Sequence, residues 1–562
     1  MSTSNIFSVL NTGRVGLLAQ QLALEVTGQN VANVQTKGYS RQEVVFEANT
    51  PRMTAQGQLG TGVRVAGLNR IHDEFLFSQI LAEGDTNGNY QVRKDVFDKL
   101  EVLFNETKGR SLNNQLSDFF ASLQDLSTNP SGLPERANVV ARGQELSTVF
   151  NQLGDGLFTI QRNLDNNVVA EAEEINALTA RIAKLNKEIH ENELPGQFGA
   201  NDLRDTRDRL IRELSEKIDI KTVDEVNNQV NITLQGGLPL ILGDTTFDLS
   251  TTLNGNNNSF RDVLISNSGG GTTNITSGIK GGKLKGYLDM RDTEVAQVKD
   301  TLERMAASFV REFNRVHQGG FGADGSTGVN FFKNLVPVVK TNVDNTGSAQ
   351  VSMSNAAPGT TSIDKYEITF TGSNSFMLNN LTTNASSGSY TFTAGTSFNL
   401  IGGLAVSISG TAVAGDKFRF SVSENAARLI SVSSTVVNDS RKIAAGQTVN
   451  GDGNNALSLG DLQTSLLFDA TTLAASGSGS FTFDEFYNAL VSTVGIRSFS
   501  ARSTVDQQEG IMLQLDSIRE STSGVSIDEE MINMLKFQQA FNASARVITT
   551  VQELMDTLVN RT

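Results

Sequence analysis

Apolar residues recur at intervals of three and four positions near both ends of the chain, which is the pattern of an amphipathic helix. In the first segment, about 4–34, leucines stand seven residues apart at Leu10, Leu17 and Leu24. The apolar positions of the second segment, about 527–559, are Met531, Met534, Phe541, Ala545, Ile548, Met555 and Val559. The two patterns predict helices with complementary apolar faces, so we expect a fold that begins and ends at the same place.

The interior of the chain carries the same helical periodicity in longer stretches. A three–four repeat of apolar residues extends over 164–189, with one mismatch at Glu171, and another extends over 288–316. Apolar clusters within 486–518 predict a further long helix that leads towards the C-terminal one. Together these segments predict a long antiparallel helical bundle.

Alternating polar and apolar positions, separated by glycine, serine and asparagine turns, predict two β-rich regions. The first contains KTVDEVNNQVNITLQGG, and the second contains DKYEITF, GSYTFTA, GLAVSISG and DKFRFSV. The predicted class is therefore α+β multidomain, with paired N- and C-terminal helices, a long antiparallel helical bundle and inserted all-β outer domains. The predicted domains are 1–50 with 520–562, 51–220 with 281–335 and 425–519, 221–280, and 336–424.

Composition narrows the classes of partner. The net charge is −15, from 46 Lys and Arg against 61 Asp and Glu, and the basic residues are scattered, which argues against nucleic acid or an anionic membrane as partner. The absence of cysteine excludes disulfides and thiolate metal sites. The chain contains no run of about 18 apolar residues, so the sequence predicts no membrane-spanning helix. The first residues lack the basic region of a conventional secretory signal, so we expect either a cytoplasmic protein or export by another route.

The sequence gives only weak signals for a catalytic, metal or phosphate site. The three histidines, His72, His190 and His317, do not have the spacing of a zinc site, and His317 is predicted to cap the C-terminus of a helix. The segment 281–286 lacks the spacing of a phosphate loop, and 323–332 lacks the ligands of a calcium loop. We therefore predict no catalytic, cofactor or metal site, and interaction surfaces in place of a reaction.

The first helical pattern ends in a specific sequence, NVANVQTKGYSRQ, at 30–42. Asn30 and Asn33 lie one helical turn apart, and Gly38 permits a tight turn. The residues that follow predict an extended segment. The unit is therefore a helix, a sharp reversal and a strand.

This sequence resembles the N-terminal signature of the bacterial flagellar axial proteins, the family of rod, hook and hook-associated subunits. Residues 523–558 resemble the paired C-terminal signature, with Phe541 where the family commonly has tyrosine. Interior segments GGKLKGYLDMRD, NRVHQGGFGADGSTGVNFF, GDGNNALSLGDLQ and FYNALVSTVG are similar to those of hook-associated members. These similarities follow the order of the chain and cover most of it.

The resemblance implies a structural, non-enzymatic subunit between hook and filament, without a cofactor, that polymerises through its terminal helices. It implies unfolded export by the flagellar type III pathway without a cleaved signal, and a final place outside the cell. The implied partners are the hook protein, the second hook–filament junction protein, further copies of the chain, and a cytoplasmic export chaperone at the C-terminal helix, with neither nucleic acid nor membrane among them. The residues predicted to pack in the assembly are Leu10, Leu17, Leu24, Asn30, Asn33, Gly38, Tyr39, Arg41, Met531, Leu535, Gln538, Phe541, Ala545, Ile548 and Met555.

Two alternatives remain open at the level of the sequence. A hook or distal rod subunit polymerises by the same physics. A secreted glycan-binding protein that uses the second β-rich region belongs to a different class. The side chain of Gln538 either bridges helices by its amide or faces solvent, and the sequence does not separate these two roles.

Overall fold

The computed structural model describes residues 3–54, 57–104, 111–193, 199–224, 228–356, 361–449, 451–468 and 481–560. The helices are α1 (Thr3–Ala32), α2 (Glu74–Phe104), α3 (Leu112–Thr128), α4 (Leu133–Asn192), α5 (Asn201–Lys217), α6 (Gly282–Asp289), α7 (Val295–Gln318), α8 (Ala426–Leu429), α9 (Ser434–Asn438), α10 (Asn454–Gly460), α11 (Phe483–Ser523) and α12 (Ile527–Asn560). A short π-helix, Met290–Glu294, joins α6 to α7.

The strands form six antiparallel sheets within the described residues. The strands are β1 (Gln42–Ala48), β2 (Arg52–Thr54), β3 (Gly57–Leu59), β4 (Val63–Arg70), β5 (Ile220–Asp224), β6 (Val230–Leu234), β7 (Pro239–Leu242), β8 (Thr245–Thr246), β9 (Leu249–Asn254), β10 (Phe260–Ser266), β11 (Thr272–Asn274), β12 (Val338–Thr341), β13 (Gln350–Asn355), β14 (Tyr366–Gly372), β15 (Ser375–Asn380), β16 (Ala385–Thr391), β17 (Ser397–Asn399), β18 (Leu404–Ser409) and β19 (Lys417–Ser421). Their orders are β1-β4, β2-β3, β5-β6-β7-β8, β11-β10-β9, β12-β19-β14-β15-β16 and β13-β18-β17.

The 60-residue helix α4 runs through both large hydrophobic cores of the molecule. Its first half, up to Leu164, packs into a core that also holds α2, α3, α7, the start of α11 and the sheets between β12 and β19. Its second half, from Val168, packs into a core formed with α5, α6 and the strands β5 to β10. One continuous helix therefore connects the two cores.

Five phenylalanines fill the centre of the first core. Phe119, Phe309, Phe313, Phe331 and Phe332 are each no more than 1% exposed. Neighbouring ring centroids in this group lie 4.9–6.0 Å apart, mostly at steep angles. Tilted and edge-to-face contacts of this kind add to the burial energy of the rings.

Polar side chains of α4 fix its second half against the strands. Asn176 donates to Leu249 O and accepts from Leu249 N, both at 2.8 Å. Asn186 makes the same pair of bonds with the backbone of Val230, at 2.9 and 3.2 Å. Glu171, the mismatch in the apolar repeat, is buried and lies 3.1 Å from Lys217 Nζ of α5. The residue that breaks the apolar repeat therefore forms an ion pair between α4 and α5.

The structure confirms the α+β multidomain class, the long paired terminal helices and the long helix over 164–189. The range 288–316 is helical, but it comprises the end of α6, the π-helix 290–294 and α7. It also shows that 486–518 belong to the single helix α11. Within 51–220, which the prediction assigned to the bundle, residues 52–54, 57–59 and 63–70 form strands instead. In β4, half-buried and exposed positions alternate from 63 to 67 with the period of two that a strand requires.

Candidate assembly interface

The terminal helices α1 and α12 pack against each other in antiparallel orientation. Their closest approach is made by small residues. A Cβ atom added at Gly13 would lie 3.0 Å from Ile548 Cγ1, and one at Gly16 would lie 3.2 Å from Ser544 Oγ. Ala19 and Ala23 are also buried. Small side chains therefore allow the two helix backbones to come close together.

The large apolar residues predicted for this interface lie at its edges or outside it. Leu10, Leu17 and Leu24 are half-buried, as are Phe541, Ala545, Ile548 and Met555 on α12. Met531, Leu535 and Gln538 are exposed. The amide of Gln538 lies on the outer surface of the pair. The structure thus divides the predicted residues into an inward and an outward group.

An outward-facing set of apolar side chains remains on the helix pair. Its members, which we call the outer apolar residues, are between 47% and 70% exposed. They are Phe7, Val9, Leu18, Met531, Ile532, Leu535, Leu554 and Val559. Concentration of large exposed apolar side chains on one pair of helices is typical of an interaction surface.

Asn30 is the centre of a buried hydrogen-bond network where α1 ends. Its Nδ2 donates to Gln42 O at 2.9 Å and to Glu530 Oε2 at 3.1 Å. Its Oδ1 accepts from the Tyr39 hydroxyl at 2.9 Å and from Gln42 N at 3.1 Å. All the hydrogen-bonding capacity of this amide is used. Asn30 therefore ties together the end of α1, the start of β1 and the first turn of α12.

Arg41 supplies the positive charge of this network. Its Nη1 lies 2.8 Å from Glu529 Oε2 and its Nε lies 2.8 Å from Glu530 Oε1. The backbone N of Arg41 donates to Ser523 O at 2.8 Å, at the end of α11. Glu530 is only 2% exposed, so its charge is balanced by Arg41 and by the Asn30 amide.

Helix α5 holds the other side of the turn. Gln42 Nε2 donates to Asp202 Oδ1, and Ser40 N donates to Asp205 Oδ2, both at 2.9 Å. Asp205 also accepts from Arg70 Nη1 at 2.9 Å. Burial raises the pKa of Asp205, although Arg70 and the Ser40 backbone lower it. Burial also raises the pKa of Tyr39, as do the carboxylates of Asp202 and Asp205.

Two further residues of the motif shape the turn and lie outside the buried network. Gly38 has a φ of +87°, the left-handed region that favours glycine. Asn33 is half-buried and donates to Gln29 O at 3.0 Å while accepting from the Thr36 hydroxyl at 3.1 Å. Its amide therefore closes the end of its own helix.

His317 has a different role from the predicted helix cap. It is fully buried, its Nδ1 donates to Val329 O at 2.7 Å, and its Nε2 accepts from Ala444 N at 3.0 Å. Burial lowers the pKa of His317 to about 4. The neutral ring thus connects two loops to α7, while Gly319 stands at the helix C-cap. No group of three or more potential metal-ligating side chains occurs among the described residues.

Residues 97–332 match the family described as "Flagellar hook-associated protein FlgK helical domain". The chain is 27% identical over 559 residues to flagellar hook-associated protein 1 of Escherichia coli K12, covering 98% of this chain and 99% of that protein. It is 28% identical over 586 residues to the protein of that name in Bacillus subtilis 168, covering 99% and 98%. Over nearly its whole length, the chain is similar to flagellar hook-associated protein 1.

The two ends of the chain match families described for flagellar rod proteins. Residues 10–39 match "Flagella basal body rod protein", and residues 519–561 match "Flagellar basal body rod FlgEFG protein C-terminal". The fold is similar to that of the flagellar hook junction protein FlgK from Burkholderia pseudomallei. That match has a TM-score of 0.67 and 18% identity, covering 79% of this chain and 100% of that one. Asn30, Tyr39 and Glu530 of the network, and the outer apolar residues from Leu18 onwards, lie in these two matched segments.

The relatives that the chain matches over nearly its whole length are flagellar proteins. In the described part of the chain, no helix combines the length and apolar character needed to cross a bilayer.

Proposed function

We propose that this chain is the subunit that joins hook to filament and that it polymerises through α1 and α12. The outer apolar residues are the observation that carries the proposal. They remain exposed although α1 and α12 already contact each other, so a neighbouring subunit is the surface that fits them. Burying one such side chain contributes about 1.5–3 kcal/mol.

The same proposal includes the route and the neighbours of the subunit. The chain leaves the cell unfolded by the flagellar type III pathway, without a cleaved signal, and takes its place outside the cell. Its neighbours are the hook protein, the second hook–filament junction protein and further copies of itself. Before export, a cytoplasmic chaperone holds the α12 segment. Support comes from the family and from the match of both ends to axial proteins.

The exposed positions allow a test that separates assembly from folding. Leu18→Asp and Leu535→Asp place a charge on the outer surface without touching the interface between α1 and α12. We expect both variants to keep the helix content and unfolding midpoint of the parent, while cells lose motility and shed filaments from intact hooks. The matched control is Leu253→Asp on β9, a leucine that is 63% exposed and far from the terminal helices in sequence. Normal motility in both helix variants would contradict the proposal.

A hook or distal rod subunit predicts a different product. The purified chain of such a subunit grows long homopolymers at high concentration, whereas a junction subunit adds a limited layer to isolated hooks. Electron microscopy of both preparations decides between the two. Long homopolymers in the absence of hooks would favour the hook or rod alternative.

We also expect α1 and α12 to be weakly ordered in the lone subunit. Among the described large apolar side chains of the two helices, only Ile6, Val26 and Val551 are buried, so burial within the lone subunit supplies little energy. Limited proteolysis of the purified chain should remove about fifty residues from each end first. Slow amide exchange along both whole helices in the monomer would contradict this expectation.

A further inference from the structure

A cavity of about 260 Å³ lies where three parts of the chain meet. One wall is α7, the second is the turn 256–258 between β9 and β10, and the third is formed by β12, β19 and their neighbours. Hydrogen bonds close its edge: Val343 N donates to Asn256 Oδ1 at 2.8 Å, and Asn257 Nδ2 donates to Asp292 Oδ1 at 3.0 Å. The cavity is thus built by segments far apart in the sequence.

Basic side chains dominate the lining of this cavity. Among the described residues, the lining includes six basic side chains, Arg291, Lys299, Lys340, Lys365, Lys417 and Arg419, and three acidic ones, Asp292, Asp300 and Glu424. Glu367 lies behind the rim, 2.8 Å from Arg419 and 3.6 Å from Lys417. Asp165 lies 2.8 Å from Arg291 and Glu303 lies 3.7 Å from Lys299, so an acidic side chain is near each of these two cations, and the contact of Lys299 is the longer one.

Lys299 is the least satisfied of these cations. It is only 8% exposed, and within the described structure its ammonium group makes no hydrogen bond. The nearest carboxylate oxygens are those of Glu303 at 3.7 Å and Glu424 at 4.0 Å. Glu424 is already bound by Lys340 at 2.7 Å. A buried ammonium group that lines a cavity without a close acceptor points to a ligand that supplies one.

Glu303 is the carboxyl group nearest to Lys299, and its protonation state decides whether Lys299 has a counter-charge. It is 2% exposed, and neither carboxylate oxygen has a hydrogen-bond partner in the described structure. Burial raises the pKa of Glu303 to about 7. Lys299 and Lys365 lower this pKa, whereas Glu424 and Asp300 raise it. Near neutral pH a large share of the molecules therefore holds Glu303 protonated, and Lys299 then lacks its nearest counter-charge.

We propose that this cavity binds a tetrahedral oxyanion group of the sulfate or phosphate type, with Lys299 at its base and Lys340, Lys365 and Arg419 around its opening. The group is either a free ion or an ester on a larger molecule such as an acidic glycan. Both sources present at least three terminal acceptor oxygens and negative charge to the basic side chains.

The position of Glu303 makes binding dependent on pH. An ionised Glu303 competes with the anion for Lys299 and repels it, whereas a protonated Glu303 does neither. Asp300 on the same helix, Glu424 after β19, Lys340 on β12 and Lys365 before β14 complete the charges around this carboxyl. Affinity for the anion therefore falls as the pH rises through about 7.

The test is calorimetric titration of the full chain with sodium sulfate at constant ionic strength, because sulfate keeps its charge between pH 6 and 8. We expect one site per chain and at least a tenfold weaker affinity in Lys299→Met. Lys184→Met on α4 is the matched control, since this lysine is exposed and pairs only with Glu188 in the described structure. Equal affinities of the parent and Lys299→Met, or an equal loss in Lys184→Met, would overturn the proposal.

Two further variants keep the test decisive if Lys299→Met folds poorly. Arg419→Gln changes a side chain that is 58% exposed, so the fold is expected to remain, and it should weaken sulfate binding severalfold. Glu303→Gln should bind at pH 8 as tightly as at pH 6, whereas the parent should bind less tightly at pH 8. A parent affinity that does not change between these pH values would contradict the role of Glu303. Tighter binding of a sulfated disaccharide than of sulfate assigns the group to a glycan ester, and equal binding assigns it to the free ion.

Discussion

The first hydrophobic core and the terminal helix pair are both built from long helices, yet they use their large side chains in opposite ways. In the core, Phe119, Phe309 and Phe313 are fully buried against one another. In the terminal pair, Gly13 and Gly16 lie against α12. Ile6, Val26 and Val551 are buried, whereas the other described large apolar residues are half-buried or exposed. The core is complete within one chain. The terminal pair leaves large apolar side chains exposed in the single chain.

The two regions also differ in where polar side chains are buried. The terminal pair is joined to the rest of the chain by the Asn30 and Arg41 network, in which directional hydrogen bonds fix one end of the pair. Such a network fixes geometry more than it adds stability. The position of the terminal helix pair is thus fixed by contacts within the subunit. We expect much of the stability of these two helices to come from assembly.

The largest expected contrast is between two phenylalanines. Phe309→Ala removes a ring at the centre of the core and should lower the free energy of unfolding by about 3–5 kcal/mol. Phe541→Ala removes a half-buried ring and should change the unfolding of the lone subunit by less than half as much. Urea unfolding followed by circular dichroism measures both. Equal shifts of the two midpoints would contradict the distinction between a complete core and an incomplete pair.

Acid should weaken the core through His317. The pKa of His317 in the folded chain, about 4, lies below the model-compound value of 6.5, so the unfolded chain binds more protons between these values. The contribution of the neutral ring is therefore complete above pH 6.5 and is lost as the pH falls towards 4. The loss amounts to about 3 kcal/mol. Unfolding midpoints at pH 7.5 and 4.5 should lie closer together in His317→Gln than in the parent, and His190→Gln, at an exposed position, should leave the difference unchanged.

Two helical glycines sharpen the comparison at the level of backbone approach. A Cβ atom at Gly88 of α2 would lie 2.0 Å from the backbone O of Glu216, so Gly88→Ala should cost about 3 kcal/mol through forced separation of the helices. Nothing lies within 4 Å of a Cβ atom at Gly28 of α1, so Gly28→Ala should stabilise its helix by about 0.5–1 kcal/mol. Thermal unfolding of both variants measures these changes. An unchanged unfolding temperature in Gly88→Ala would show that α2 and α5 can accommodate an added methyl group at their contact.

The smallest effect concerns two asparagines of one motif. Asn30→Ala leaves the Tyr39 hydroxyl, Gln42 N and Glu530 without their buried partner and should cost about 1–3 kcal/mol in the local stability of the turn. Asn33→Ala removes bonds that lie at the exposed end of one helix and should cost less than about 1 kcal/mol. Amide exchange of Gln42 and of the first turns of α12 reports the difference. Equal exchange rates in both variants would refute a special role for Asn30.

Periodicity predicted the long helix over 164–189 well, because so long a three–four repeat is typical of a helix. A count of large apolar residues gives no weight to Gly13, Gly16, Ala19 and Ala23, which are small residues of α1. The small side chains recur at helical intervals, and that recurrence is a signal that could have revealed the contact face of α1.

The polar half of the site was only partly predictable. Asn30, Tyr39 and Arg41 stand in a recognisable motif, whereas Glu530 belongs to the acidic run at 528–530, which by itself indicates only the start of a helix. Its burial depends on Arg41, which is nearly five hundred positions away. Asp202 and Asp205 carried no local signal at all, because exposed acidic residues are common on amphipathic helices. Residues joined only by the folded chain are beyond the reach of a local pattern.

Helix α4 gives the molecule a property that neither core has alone. Its 60 residues correspond to about 90 Å of uninterrupted helix. Side chains of each half of this helix are buried in one of the two cores. A force or rotation applied to one core is therefore transmitted to the other through a continuous helix.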